Sequence, residues 1–146
     1  MARIVTGSGI RITNKTTQDF LSEEWSKKLS ELIDMSDSKY AIKGGFICLK
    51  EDIEPPFIST YTLPELLYKL GEYVEIDTKW CDLKFCKDAP FYCFYYHNRD
   101  SNEDMLGEFF DYPIESAAYL LLQCAKKKVG YVKDVSSKWK SLFYFF

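Results

Sequence analysis

Hydrophobic residues recur along this chain at two different spacings, and the helical spacing is clearest in its middle. The leucines of residues 63–70 follow the three- and four-residue repeat of an amphipathic helix. Thr62 and Glu65 form a capping box before them, and Gly71 suits the left-handed residue that ends a helix. The pattern therefore predicts a short helix between Thr62 and Gly71.

Two further segments carry a helical pattern. Pro113 follows Asp111 and suits a first helical turn, while Gly130 suits the end of the same helix. Between them runs one apolar stripe, made of Ile114, Ala117, Ala118, Leu121, Leu122 and Ala125. Apolar residues at helical spacing after Thr16 predict another amphipathic helix over residues 17–34.

Strands are predicted where aromatic and β-branched residues cluster between turn signals. The predicted strands are a strand pair or one bent strand within residues 40–49 around Gly44-Gly45, a meander of 79–86, 90–98 and 105–110, and short strands at 3–5, 10–13 and 131–135. We expect one α+β domain over residues 1–146, a mainly antiparallel sheet with about three helices packed on one face. Residues 1–13 are a candidate N-terminal arm, and residues 139–146 an aromatic segment that closes the sheet or docks on another chain.

The strand at residues 90–97 departs from ordinary alternation, since nearly every side chain is large and aromatic. A hairpin that places Cys86 opposite Phe91 sorts the two strands into distinct faces. The first face is apolar, predicted to be core, and consists of Cys81, Leu83, Phe85, Tyr92, Phe94 and Tyr96. The second mixes aromatic and polar side chains, pairing Lys84 with Cys93, Asp82 with Tyr95 and Trp80 with His97. It is the candidate partner-binding surface, and its proposed residues are Trp80, Asp82, Lys84, Phe91, Tyr95 and His97.

Catalytic and metal chemistry find little support in the residue pattern. His97 is the only histidine, and Cys93 lies about 13 Å from it along the same strand, too far for a nucleophile–base pair. Cys81 and Cys86 are an odd number of residues apart on one predicted strand, so they point to opposite faces and cannot share a metal ion. We predict no catalytic residue, no metal site and no cofactor, and a protein that is not an enzyme is favoured.

Composition narrows the classes of partner and compartment. The net charge of −3, with 19 Lys and Arg against 22 Asp and Glu, disfavours nucleic acid as the main partner. Aromatic residues reach 17%, which suits deep cores and the centres of protein interfaces. Five cysteines without a secretory leader predict reduced thiols in the cytoplasm, and no apolar run predicts a membrane span.

Two segments carry a resemblance to known proteins. Residues 62–74 read TLPELLYKLGEYV, and residues 111–132 read DYPIESAAYLLLQCAKKKVGYV. Together with the hairpin between them, they resemble small phage- and prophage-encoded proteins of unassigned function. In those proteins a Leu-rich helix precedes a hairpin, and a Pro-Ile/Leu-x-x-Ala-x-Tyr-x-Leu-Leu helix ends in Gly-Tyr. The resemblance implies a phage-type accessory protein acting inside a bacterial host cell or within a virion, and it brings no catalytic residues.

Three hypotheses of function follow. The first is a non-enzymatic binding protein, monomer or homo-oligomer, that binds a host or phage protein through the mixed aromatic face. The second is a structural virion or assembly component that docks through residues 1–13 and 139–146. The third is a small enzyme or nucleotide binder with its site over the same sheet face.

Overall fold

A computed structural model describes residues 9–13 and 15–127 and the backbone of residues 130–131. The chain divides into two compact units, residues 1–65 and 66–146, and each contains one antiparallel sheet. The predicted α+β class is confirmed, with two sheets in place of one. The predictions for residues 3–5, 132–135 and 139–146 lie outside the described residues, and the single domain stays a prediction.

The first unit is a small sheet with one helix. Its strands are β1 (Ile10–Arg11), β2 (Tyr40–Lys43), β3 (Phe46–Leu49) and β4 (Ile58–Thr60), in the order β1-β3-β2-β4. Helix α1 (Glu23–Ser30) packs against β4. There the buried Ser26 hydroxyl donates to Thr60 Oγ1 at 3.0 Å, and the Thr60 hydroxyl donates to the Leu21 carbonyl at 2.7 Å. These bonds satisfy polar groups that burial would otherwise penalise.

Helix α1 is shorter than the predicted helix over residues 17–34. Its N-cap is Ser22, whose hydroxyl accepts a hydrogen bond from the Trp25 N–H at 3.3 Å. The preceding residue, Leu21, donates its N–H to the Tyr61 carbonyl, so this backbone belongs to a sheet-like contact rather than to a helix. Leu32, one of the apolar residues within the predicted helix, follows the end of α1 and is 46% exposed.

Helix α2 (Leu63–Leu70) confirms the predicted capping box. The Thr62 N–H donates to Glu65 Oε1 at 2.8 Å, and the Glu65 N–H donates to Thr62 Oγ1 at 3.4 Å. Gly71 follows with φ of +80°. Local sequence alone therefore determined this helix, because both capping partners lie within one turn of its start.

The second unit is a five-stranded antiparallel sheet with one long helix. Its elements are β5 (Tyr73–Ile76), β6 (Lys79–Asp88), β7 (Phe91–Asn98), β8 (Asp104–Met105), α3 (Pro113–Lys127) and β9 (Gly130–Tyr131). The strand order is β8-β7-β6-β5-β9, and α3 packs on β7. Strands β4 and β5 are not among those predicted, since runs of three or four residues are recognised only beside a strong turn signal, such as Gly44-Gly45 between β2 and β3.

The core of this unit lies between α3 and one face of the sheet. Tyr96, Cys81 and Val74 are fully buried on that face. The Tyr96 hydroxyl donates to the Gly71 carbonyl at 2.9 Å, which satisfies it in the apolar interior. Phe85, predicted as core, is instead 49% exposed. It contacts the rings of Phe94 and Tyr92 on β7, but those rings cover only part of it.

The β6–β7 hairpin has a different register from the predicted one. Asp88 pairs with Phe91, so two residues join the strands, and every partner is displaced by two positions. Asp82 therefore lies opposite His97 rather than Tyr95. Because side chains alternate with a period of two, a shift of two keeps each one on its predicted face. The predicted register is wrong, whereas the predicted division into two faces is right.

The two-residue turn between β5 and β6 offers a test of local strain. Asp77 and Thr78 lie at φ of +53° and +66°, a conformation that β-branched residues adopt at a cost. We expect Thr78→Gly to raise the free energy of unfolding by about 1 kcal/mol in urea denaturation. The matched control is Gly45→Thr in the β2–β3 turn, where φ is +81° and no neighbour lies within 4 Å. It should lower stability by a similar amount, and a neutral result for both would contradict the strain.

Candidate functional site

The sheet face opposite α3 carries all six residues proposed from the sequence. We call it the aromatic face, and define it by Tyr73, Glu75, Trp80, Asp82, Lys84, Cys86, Phe91, Cys93, Tyr95 and His97. Opposite residues of antiparallel strands share a face, so the register places these side chains side by side. Within it, Lys84 lies opposite Tyr95, and Asp82 opposite His97.

A row of polar side chains crosses four strands of this face. Tyr73 lies opposite Asp82, Asp82 opposite His97, and His97 opposite Asp104 on β8. The sequence predicted Tyr95 as the partner of Asp82, and Trp80 as the partner of His97. Each of these predicted partners lies two residues along its strand from this row. Tyr73 and Asp104 were not among the predicted site residues, because β5 and β8 are too short to reveal their register.

Arg99 organises one end of the row, although it lies just beyond β7. Its Nε and Nη2 atoms donate to the two carboxylate oxygens of Asp82, each at 2.8 Å. Its guanidinium also stacks over Tyr73, with Cζ 5.0 Å from the ring centroid. The paired hydrogen bonds from Arg99 hold the pKa of Asp82 below its ordinary value. The sequence contained one signal for Arg99. It lies two residues after His97 and four after Tyr95, so strand alternation continued past β7 would place it on the same face.

His97 is held by β8 and by the loop that precedes it rather than by Trp80. Its Nδ1 lies 2.7 Å from Asp104 Oδ1, and its Nε2 lies 2.9 Å from Asn102 Oδ1. The stacking of His97 on Trp80 that the predicted register implies is therefore wrong. With both ring nitrogens engaged, His97 joins the loop before β8 to the sheet. Its geometry suits a structural clasp better than a general base, which needs one nitrogen directed at a reactant.

Three large aromatic side chains of this face are substantially exposed. Trp80, Tyr73 and Phe91 are 50%, 48% and 44% exposed, respectively. Trp80 lies opposite Glu75 on β5, and the Trp80 carbonyl accepts a hydrogen bond from the backbone N–H of Arg99 at 3.4 Å. Trp80, Tyr73 and Arg99 thus form one neighbourhood, which we call the open end of the face. Phe91 lies at the other end, beside the hairpin turn.

The segment between β8 and α3 crosses close to the middle of β7. Gly107 approaches so closely that an added Cβ would lie 2.5 Å from the Phe94 carbonyl oxygen and 3.0 Å from Cys93 Sγ. Beyond it, Phe110 exchanges backbone hydrogen bonds with Tyr92. Cys93 is therefore buried and Tyr95 half-buried, and burial raises the pKa of the Tyr95 hydroxyl. The part of the face around Cys93 and Tyr95, which we call the covered end, therefore contrasts with the open end.

The first unit holds a separate groove of about 400 Å³. Its lining includes Lys27, Asp34, Met35 and Phe57, and none of its lining residues belongs to the aromatic face. Beside it, the Lys50 ammonium donates to the Met35 carbonyl at 3.0 Å, and burial lowers the pKa of this amine. The predicted site residues contribute nothing to this groove.

The residues that the structure describes contain neither a metal-binding cluster nor a membrane-spanning helix. Among them, no three His, Cys, Asp or Glu side chains come together in a way that could hold a metal ion. No helix in the same residues is long and apolar enough to cross a membrane. Comparison with protein-family models, with curated proteins and with solved structures found no match for this chain.

The Arg99–Asp82 pair predicts a defined change in titration. Arg99→Ala should return the pKa of Asp82 toward its ordinary value of 3.8, because the two hydrogen bonds to its ionised form are lost. Since the folded pKa is depressed, the pair stabilises the fold above the ordinary pKa. That contribution is lost as pH falls through the folded pKa. Carboxyl NMR titration measures the first effect, and urea unfolding at several pH values the second.

Lys84→Ala is the control for this titration. It removes a positive charge that also lowers the pKa of Asp82, but it breaks no hydrogen bond to that carboxylate. We expect a smaller rise in the pKa of Asp82 than Arg99→Ala gives. An unchanged pKa in Arg99→Ala would show that the paired hydrogen bonds do not form in solution.

The close approach at Gly107 predicts a large penalty for one methyl group. Gly107→Ala should lower the free energy of unfolding by about 2 kcal/mol, because the nearest atom is a backbone oxygen that cannot turn aside. Thermal or urea unfolding measures the loss. The neighbouring exposed variant Glu108→Ala should stay close to wild type. Equal stabilities for the two variants would mean that the segment does not lie against β7.

Proposed function

We propose that this chain is a phage-type accessory protein that binds a protein partner, from host or phage, through the aromatic face and without catalysis. The observation that carries the proposal is the open end, where Trp80, Tyr73 and Arg99 lie exposed beside one another. The phage setting, inside a bacterial cell or a virion, rests on the sequence resemblance alone.

The residue types at the open end support protein recognition. Tryptophan, tyrosine and arginine are the residues most enriched among those that dominate binding energy at protein interfaces. An aromatic side chain brings a large apolar area at a low entropic cost, so it can anchor a partner. Half-exposed rings of this size leave apolar area in water that a partner would cover.

Preorganisation of Arg99 supports the same proposal. The Asp82 carboxylate and the Tyr73 ring hold its guanidinium in place before any partner arrives. Binding then costs less side-chain entropy than it would with a freely rotating arginine. The guanidinium also retains N–H groups that Asp82 does not use, and these suit carbonyl or carboxylate oxygens of a partner.

The arrangement of His97 favours binding over catalysis. Its two nitrogens are directed at Asp104 on β8 and at Asn102 in the loop between β7 and β8, rather than toward the exposed aromatic rings. An enzyme on this face would need to break one of those contacts before His97 could exchange a proton with a substrate. A binding surface makes no such demand.

The matched pair Trp80→Ala and Phe85→Ala tests the proposal. Both residues lie on β6 with nearly equal exposure, 50% and 49%, but on opposite faces. Wild-type protein first captures partners from infected-cell lysate, and the captured protein is then purified. Calorimetry with that protein should give a Kd raised about 30-fold or more by Trp80→Ala, the loss of a residue that dominates binding.

Phe85→Ala should change that Kd by less than twofold, and circular dichroism should show both variants folded. Equal weakening by the two variants would contradict a site on the aromatic face. Failure to purify any partner whose Kd rises with Trp80→Ala would contradict the proposed function itself. Sedimentation of the wild type and of Trp80→Ala tests whether the partner is a second copy of this chain.

A further inference from the structure

Two cysteines of the aromatic face lie directly opposite each other. Cys86 on β6 pairs with Cys93 on β7, and both are free thiols. In the register predicted from sequence, Cys86 lies opposite Phe91 and Cys93 opposite Lys84, so the pair emerges only from the structure. Its position is at the covered end, apart from Trp80, Tyr73 and Arg99.

Backbone hydrogen bonding defines the spacing of this pair. Tyr92 exchanges both of its backbone hydrogen bonds with Phe110 on one side of β7. Its neighbour Cys93 therefore presents its N–H and C=O to β6 on the other side, which makes Cys86–Cys93 a hydrogen-bonded pair. Such pairs have Cα atoms about 5.5 Å apart, inside the range of about 4.4–6.8 Å found in disulfides.

The Cβ atoms of opposite residues are farther apart than a relaxed disulfide requires. Their spacing is about 4.5–5.5 Å in sheets and about 3.5–4.5 Å in disulfides, so the strands would approach by about 1 Å. A disulfide between Cys86 and Cys93 would therefore be strained. A strained disulfide is reduced more readily than a structural one.

The two thiols differ in access to solvent. Cys86 is half-buried, whereas Cys93 is only 6% exposed and lies beneath Gly107. The other three cysteines, Cys48, Cys81 and Cys124, are buried as well. Among the five, Cys86 is thus the one that an external reagent reaches first, and its nearest protein thiol across the sheet is Cys93.

We propose that Cys86 and Cys93 form a reversible dithiol–disulfide couple that exchanges with small-molecule disulfides of the glutathione type. This redox modification site lies on the aromatic face but outside its open end, and the exchange that it performs needs no protein partner. Cys86 is the attacking thiol and Cys93 the resolving thiol.

The exchange proceeds in two balanced steps. The Cys86 thiolate attacks one sulfur of oxidised glutathione, the S–S bond breaks, and one glutathione leaves as its thiolate. The Cys93 thiolate then attacks Sγ of Cys86, and the second glutathione leaves. Each leaving thiolate takes up a proton from water. The protein loses two electrons and two protons, and one oxidised glutathione becomes two reduced glutathione molecules.

The environment of Cys93 makes the second step sensitive to pH. Burial raises the pKa of the Cys93 thiol, and the negative charges of Glu108 and Asp104 act in the same direction after Cys86 has entered the mixed disulfide. Only the thiolate attacks, so the resolving step should quicken as pH rises. The mixed disulfide on Cys86 should accumulate at lower pH and give way to the protein disulfide at higher pH.

Peptide mapping of the native full-length protein tests the proposal. The protein is equilibrated with reduced and oxidised glutathione at several ratios, alkylated, and digested with trypsin. Lys87 lies between the two cysteines, so the disulfide appears as peptide 85–87 linked to peptide 88–99. We expect this linked species at oxidising ratios and its loss when reduced glutathione is added in excess.

Two variants distinguish the roles of the thiols. Cys93→Ala should trap glutathione on Cys86, and Cys86→Ser should abolish the adduct at this hairpin. Separate alkylated peptides at every ratio in the wild type would overturn the proposal, as would a linkage of either cysteine to Cys48, Cys81 or Cys124. Because the wild-type map requires no variant to fold, the proposal stays testable whether or not Cys93→Ala is stable.

Discussion

The pairing of Asp88 with Phe91 is the constraint on which the aromatic face depends. A connection of two residues leaves β6 and β7 one register, and each subsequent pair follows from it along both strands. That register brings Asp82 to His97 and Cys86 to Cys93. A connection longer by two residues on the β6 side alone, with Cys86 opposite Phe91, would keep the same division into faces and give each of these side chains a different neighbour. The chemistry of the face is thus determined at the turn, several residues away from where it is expressed.

The two ends of the aromatic face differ because the sheet is covered unevenly. At the covered end, the segment through Gly107 lies against β7 and removes Cys93 from solvent. At the open end, β5 continues the sheet and leaves Tyr73 and Trp80 half-exposed, with Arg99 braced between a ring and a carboxylate. The proposed recognition site therefore has accessible aromatic rings. The proposed thiol couple has a half-buried attacking thiol, Cys86, and a shielded resolving thiol, Cys93.

Polar side chains act here mainly as connectors between elements. His97 joins β7 to β8 through Asp104 and to the intervening loop through Asn102. In the first unit, the hydroxyls of Ser26 and Thr60 join α1 to β4 in a similar way. The Ser26–Thr60 contact joins residues that are far apart in the chain, whereas His97 contacts the loop and strand that directly follow its own strand. Each contact leaves fewer unsatisfied polar groups. This is the physical reason to regard His97 as part of the framework of the face rather than as its reactive centre.

Sequence by itself determined the elements whose signals are local. The capping box of Thr62 and Glu65 predicts α2, and Pro113 predicts the start of α3. Because successive side chains of a strand point to opposite faces, the sequence also assigns the side chains of β6 and β7 to their two faces. The hairpin register, the short strand β5 and the position of Arg99 were decided by tertiary structure. The reason is that side-chain alternation repeats every two residues, so a shift of two positions changes all cross-strand neighbours without changing the pattern. Only the three-dimensional pairing distinguishes those alternatives.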